Sequence, residues 1–110
     1  MSSTPTCEEI LNELAKTFNP DAARGLNVDV QFIFSGAQSG TFSLHLADGK
    51  CTVNKGELDY ARLTIRVDVN DWLDLQNGKF NWTEAMMQRK FMATGNFPLL
   101  AKLPQIFKIG

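Results

Sequence analysis

Two stretches with apolar residues at every second position constrain this chain most. The apolar positions are Val28, Val30, Phe32 and Phe34 in the first stretch, and Phe42, Leu44 and Leu46 in the second. Such alternation is typical of β-strands that bury one face. Residues 36–40, with Gly at both ends, separate the two stretches and end the first one. The sequence therefore predicts a hairpin with one apolar face.

Three further segments extend this sheet. Asp48-Gly49 predicts a tight turn into a short strand over residues 50–54, with Cys51 and Val53 facing inward. Residues 62–68 predict a fourth strand, and residues 91–94 a fifth one before a glycine. Because the connections are short, an antiparallel meander is the simplest arrangement of the first four strands.

Capping signals mark the helices. Thr6 and Glu9 form a capping box, which predicts a helix that starts near Cys7 and carries an apolar stripe. Asn81 and Glu84 predict a second box and a helix through Gln88.

The remaining helical signals are less regular. Residues 20–24 predict one short turn, and a helix begins near Asn70 and stops at Asn77-Gly78. Residues 98–108 predict a last helix that Pro104 should kink or divide, because proline lacks the amide donor.

Length and charge limit the function classes. A chain of 110 residues buries one core, so residues 1–110 form a single domain. The net charge of −1 disfavours nucleic-acid binding. Residues 1–78 hold 6 basic and 11 acidic residues (−5), and residues 79–110 hold 5 and 1 (+4). The last third of the chain is therefore a mild cationic surface.

Catalytic and metal chemistry have little support in the sequence. His45 falls on the polar face of its strand, and no serine has a base at a recognisable spacing. Asp71 and Asp74 suit a helix N-terminus, where negative charge is favoured. Cys7 and Cys51 fit neither a disulfide framework nor a zinc site. We expect no metal, no cofactor and no nucleotide site.

Large apolar residues beyond the strands leave two interpretations open. They either fill the core of a small α+β domain or partly line a cavity, and methionine suits adaptable apolar surfaces. These residues are Trp72, Trp82, Met86, Met87, Phe91, Met92, Phe97 and Phe107.

Residues 70–103 resemble the C-terminal half of the sterol carrier protein-2 family. The matching pattern consists of Asn70-Asp71-Trp72, Leu75, Gly78-Lys79, Asn81, Ala85-Met86-Met87, Lys90-Phe91, Gly95-Asn96, Leu100 and Leu103. The N-terminal helix, the antiparallel strands and the Asp-Gly turn extend the resemblance over nearly the whole chain.

The resemblance implies an α+β fold with a five-stranded, mostly antiparallel sheet, covered on one face by helices that enclose an apolar tunnel. It also implies a non-catalytic module that binds and transfers a fatty acid, acyl-CoA, sterol or phospholipid. The sheet would supply Phe32, Phe34, Phe42, Leu44 and Leu46 to the tunnel. The helices would supply Trp72, Leu75, Met86, Met87, Leu99, Leu100 and Leu103.

Four cations are candidates for docking on anionic membranes: Arg89, Lys90, Lys102 and Lys108. The chain departs from the family at Gln88-Arg89, where many members have a small residue or glycine, and at Pro98 and Pro104 in the closing helix. Both departures bear on which lipid is bound.

We expect a cytoplasmic location, because the sequence has no secretory signal, no transmembrane segment and no Ser-Lys-Leu-type C-terminus. We also expect a monomer. Two alternatives stay open. One is a small α+β pocket enzyme in which His45 pairs with an aspartate, and the other is an interaction domain whose cavity is filled by side chains.

Overall fold

A computed structural model describes residues 5–109 of the chain. Four helices and five strands follow one another along it. In chain order they are α1 (Cys7–Lys16), β1 (Asn27–Ser35), β2 (Gly40–Ala47), β3 (Lys50–Lys55), β4 (Leu63–Asp68), α2 (Val69–Gln76), α3 (Trp82–Met87), β5 (Phe91–Gly95) and α4 (Phe97–Ile106). The predicted α+β class and all five predicted strands are confirmed.

The sheet has the order β3-β2-β1-β4-β5. Strand β1 lies at its centre, antiparallel to β2 and parallel to β4, while β2 and β3 and also β4 and β5 pair antiparallel. The sheet is thus mostly antiparallel. The meander is correct for β1 to β3 but wrong for β4, which lies beside β1 instead of β3.

Burial explains the position of β4. Its apolar residues Leu63 and Ile65 are fully buried, whereas β3 has no fully buried residue. Pairing with β1 sets Ile65 beside Phe32 at the centre of the apolar face. The connection over residues 56–62 then lies on the opposite face of the sheet, where the Leu58 amide donates to Gln31 Oε1 at 2.8 Å.

The structure confirms the two predicted capping boxes and the predicted tight turn. Thr6 and Glu9 exchange side-chain and backbone hydrogen bonds at the start of α1, and Asn81 and Glu84 do the same at α3. Asp48 (φ 55°) and Gly49 (φ 71°) form the tight turn between β2 and β3.

Helix α4 contains Pro104 without being divided. The proline lies in the last turn, where the loss of one amide donor affects only one carbonyl. Helical hydrogen bonding continues past the proline, because the Phe107 amide donates to the Leu103 carbonyl at 2.9 Å. The predicted division of the helix at Pro104 is therefore wrong.

The helices pack against the apolar face of the sheet. Helix α1 contacts β2 and β3, α2 contacts β4, and α4 contacts β4 and β5. At the centre the Phe32 and Trp72 rings meet edge to face, with centroids 5.4 Å apart. Over residues 5–109, no helix has the length and apolar character needed to cross a bilayer.

The two thiols lie in the region that α1 covers. Cys7 is buried in α1 and Cys51 is partly buried in β3, and both are free. Burial raises the pKa of the Cys51 thiol to about 11 from an ordinary value of 9.0. Burial also raises the pKa of Cys7, against the lowering effect of a backbone hydrogen bond.

We therefore predict slow reaction of Cys51 with a soluble disulfide reagent at pH 8. A pKa raised by burial leaves less thiolate in the folded protein than in the unfolded chain, and the higher nucleophilicity of that thiolate offsets only part of the loss. Labelling should be at least about tenfold slower in the native protein than in urea. Cys7→Ser leaves Cys51 as the only thiol for the measurement. Equal rates in both states would contradict the packing of α1 over β3.

Candidate functional site

A cavity of about 440 Å³ lies where α3, β5 and α4 meet. This volume is within the range of small-molecule sites, about 300–1,000 Å³. The lining is apolar except for one arginine. It consists of Met86, Arg89, Phe91, Met92, Ala93, Phe97 and Leu100.

Exposed apolar side chains surround this cavity. Met86, Met92 and Phe97 line it and are 42%, 60% and 59% exposed. Met87, next to Met86 in α3, is 78% exposed. We call these four residues the apolar rim. Within residues 5–109, Tyr60 is the one other large hydrophobic residue that is exposed. Such a concentration of exposed apolar surface indicates a ligand, membrane or protein contact.

Short-range interactions hold the three elements in place. The Trp82 ring of α3 packs on the Phe91 ring of β5, with centroids 4.8 Å apart. The Asn96 side chain caps α4 by accepting from the Leu99 amide at 3.0 Å. Gly95 has φ 116°, and a Cβ there would collide with the Arg62 carbonyl oxygen. The chain can therefore turn directly from β5 into α4.

Arg89 has an unusual backbone conformation at the end of α3. Its φ is 56°, its amide donates to the Met86 carbonyl at 3.2 Å, and the Lys90 amide donates to the Ala85 carbonyl at 2.9 Å. These two bonds define a Schellman C-cap, whose left-handed residue is usually glycine.

Helix α2 ends in the same way with a glycine. Gly78 (φ 79°) donates to the Leu75 carbonyl at 3.1 Å, and Lys79 donates to the Asp74 carbonyl at 3.0 Å. The chain thus contains two equivalent caps, one with glycine and one with arginine. The left-handed conformation of a residue with a Cβ costs on the order of 1 kcal/mol or more.

The four cations predicted to dock on membranes are not all at this cavity. Arg89 lines it, and Lys90 lies 5.6 Å from the centroid of the Phe80 ring. Lys102 is exposed on α4. Lys108 lines a different cavity of about 330 Å³ between α1 and α2, together with Ile10 and Leu14.

Most of the residues predicted to bind lipid are core residues in this structure. Ten of the twelve are buried: Phe32, Phe34, Phe42, Leu44, Leu46, Trp72, Leu75, Leu99, Leu100 and Leu103. The edge-to-face contact between Phe32 and Trp72 joins the sheet to the helices at the centre. Met86 and Leu100 line the cavity near α3, whereas Met87 is mostly exposed.

Four residues that line the cavity, Phe91, Met92, Ala93 and Phe97, are not among the twelve predicted to bind lipid. Three of them belong to the large apolar residues beyond the strands that composition had singled out. Ala93 has no such signal, because only the position of β5 next to α4 brings it to the cavity.

His45 lies on the sheet face away from the helices. Its Nδ1 is 2.7 Å from Asp29 Oδ1 on the neighbouring strand, and both side chains are partly exposed. Neither residue lines a cavity described above. Within residues 5–109, no group of three or more His, Cys, Asp or Glu side chains is placed to hold a metal ion.

Comparison with known proteins adds a family match. Residues 9–108 match the model of the SCP-2 sterol transfer family. Hydroxysteroid dehydrogenase-like protein 2 from Xenopus laevis is 30% identical over 100 residues, which are 90% of this chain and 24% of that protein. The chain therefore spans about a quarter of the length of the curated relatives it matches.

Solved structures show the same fold. The sec-alkylsulfatase Pisa1 from Pseudomonas sp. matches with a TM-score of 0.80 and 18% identity, over 94% of this chain and 16% of the sulfatase. The solution structure of the palmitated sterol carrier protein 2 like 2 from Aedes aegypti matches with a TM-score of 0.76 and 21% identity, over 93% of this chain and 94% of that one.

The two equivalent caps generate a stability prediction. Arg89→Gly removes the Cβ from a left-handed position, so we expect it to raise the free energy of unfolding by up to about 1 kcal/mol. Arg89→Ala keeps the Cβ and should bring no gain, which makes it the matched control. Urea denaturation of both variants measures the difference. Equal stability of the Gly and Ala variants would contradict strain at Arg89.

Proposed function

The chain belongs to the SCP-2 sterol transfer family, whose domains bind and transfer lipids, and we propose that it holds the apolar chain of its lipid in the cavity between α3, β5 and α4. The observation that carries this proposal is the apolar lining of a 440 Å³ cavity beneath exposed methionine and phenylalanine side chains. Phe91 and Leu100 form its buried wall.

Burial of methylene groups supplies the binding energy. Each buried methylene contributes about 0.8 kcal/mol, so ten contribute about 8 kcal/mol before the entropic cost of binding. A longer ligand would extend from this cavity between the sheet and the helices, along Phe32, Trp72 and Leu103. That extension requires the Phe32 and Trp72 rings to separate from their present contact.

We propose a fatty acid as the first ligand to test, with acyl-CoA, sterol and phospholipid as further candidates. The palmitated Aedes aegypti protein shares this fold, which supports an acyl chain. The module we propose acts without catalysis, because the His45 and Asp29 pair lies on the far side of the sheet from the cavity. We also propose that the chain is a monomer.

The relatives suggest that such a module also serves within longer proteins. The matched Xenopus laevis protein is about four times as long as the matched region, and the matched sulfatase is longer still. We propose that this chain supplies lipid binding alone, whether it acts free or beside another domain.

Filling the cavity should block binding. Ala93 is on the inner face of β5, opposite Ile65, so Ala93→Phe would place a ring in the cavity. We expect the affinity for a twelve-carbon fatty acid to fall at least about tenfold, the value of about two buried methylenes. Calorimetric titration measures the affinity, and native mass spectrometry shows whether lipid co-purifies.

The control for this variant is Thr94→Phe. Thr94 is the next residue along β5, is exposed and does not line the cavity, so Thr94→Phe adds the same ring outside the cavity. If both variants bind as the unmodified protein does, the cavity is not the binding site. If the unmodified protein itself binds no lipid, the interaction domain with a filled core is favoured instead.

We also propose that the apolar rim docks on anionic membranes. Met87 and Phe97 would enter the interface, as exposed apolar side chains do at membrane surfaces. Residues 79–110 carry a charge of +4, which complements anionic headgroups. Of the four predicted docking cations, Arg89, Lys90 and Lys102 belong to the segments around the rim, whereas Lys108 lines the other cavity.

Vesicle binding tests the docking surface. We expect Lys102→Gln to weaken binding to phosphatidylserine vesicles about fivefold, because one lysine near such a surface contributes about 1 kcal/mol. Lys50→Gln removes the same charge from β3, the edge strand opposite β5, and should leave vesicle binding unchanged. Salt at about 0.5 M should weaken binding strongly. If neither added salt nor Lys102→Gln weakens vesicle binding, an electrostatic contribution to docking is excluded.

A further inference from the structure

Arg89 combines three properties that no other residue of the described chain shares. It lines the apolar cavity as its single charged residue, it occupies a left-handed cap position, and it carries a Cβ there. The equivalent cap of α2 has Gly78. The family resemblance also places a small residue or glycine at this position. Arginine therefore occupies a position whose backbone conformation favours glycine.

The Arg89 side chain has no ionic partner within residues 5–109. Three of the ten other lysines and arginines form ion pairs within the described residues: Lys16 with Glu13, Arg24 with Asp21, and Lys79 with Asp74. Glu84 is the one acidic residue in the segment 79–110, and its carboxylate already accepts from the Asn81 amide at 2.9 Å. The charge beside the cavity is thus not neutralised by an acidic side chain within the described part of the chain.

The neighbouring Lys90 is placed differently. Its ammonium group lies over the Phe80 ring, and it does not line the cavity. Arg89 therefore lies at the cavity, and Lys90 lies on the surface beside it. This difference provides a matched control with the same charge at the next position.

We propose that Arg89 determines ligand specificity by binding the anionic headgroup of the lipid at the mouth of the cavity. This inference rests on the proposed function, because the acyl chain must occupy the cavity for the headgroup to reach Arg89. A guanidinium presents a rigid fork of donors that suits a carboxylate or a phosphate. The shared chemistry is an anionic oxygen group on an apolar chain, from a fatty acid or from a phospholipid.

The test measures three ligands with the same chain of twelve carbons. Laurate carries a carboxylate, dodecyl phosphate carries a phosphate, and dodecanol is neutral. Each is titrated below its micelle concentration and without vesicles, so that membrane docking does not contribute. The proteins are the unmodified chain, Arg89→Gln, Arg89→Lys and Lys90→Gln.

We expect Arg89→Gln to weaken the binding of at least one anionic ligand about tenfold, because a hydrogen bond to a charged group is lost. Dodecanol binding should change less than about twofold, since its chain contacts are intact. Lys90→Gln should change no ligand by more than about twofold, and Arg89→Lys should retain part of the anion preference. If Arg89→Gln lowers the affinity for laurate more, the headgroup that Arg89 binds is a carboxylate. If it lowers the affinity for dodecyl phosphate more, the headgroup is a phosphate.

Two results separate failure of this inference from failure of the proposed function. If the unmodified protein binds all three ligands and Arg89→Gln weakens none of the anions more than Lys90→Gln does, Arg89 is not a headgroup site and lipid binding stands. If the unmodified protein binds none of the three, the proposed function itself fails. Arg89→Gly, which relieves the cap, must show the same anion loss as Arg89→Gln, so a folding defect cannot imitate the effect.

Discussion

The apolar face of β1 determines how the rest of the molecule is arranged. β1 is the central strand, and Phe32 contacts a ring on its own strand, Phe34, and one on helix α2, Trp72. Both edges of β1 are paired, by β2 on one side and β4 on the other. A strand buried in this way needs partners on both edges and a layer of helices on one face. The short helices are stable because they cover this surface, since isolated helices of six to ten residues are marginal in water.

Sequence reasoning predicted those features that local chemistry specifies. Capping boxes at Thr6 and Asn81 each involve residues three positions apart, and the Asp48-Gly49 turn involves two. The parallel pairing of β1 with β4 was missed because its reason is not local. It depends on which strands bury most apolar surface and on Gln31, whose side-chain Oε1 accepts from the Leu58 amide in the connecting segment. Alternation shows which residues share a face, but it does not show which strands are neighbours.

The candidate site was predicted less completely than the fold. The sheet residues were placed correctly on the inner face, but the cavity lies at the edge of the sheet, beside β5, instead of at its centre. Helix α3 has six residues, too few for a hydrophobic period to assign Met86 and Met87 to faces. Arg89 was identified as a departure from the family pattern, yet only the φ of 56° explains what that departure costs.

The position of the cavity at the sheet edge has a physical consequence for lipid uptake. β5 is an edge strand of five residues paired only with β4, and α3 adds six residues held on it by the Trp82 and Phe91 rings. Short edge elements open at lower free energy than a central strand, because fewer buried contacts and hydrogen bonds must break. Phe32 and Trp72 are among the most buried side chains of the core, so opening the fold there would break more buried contacts than opening it at the edge. Under the proposed function, uptake from the edge would require only α3 and β5 to move. The end of the acyl chain would then enter first, and the anionic headgroup would stay beside Arg89, as we propose.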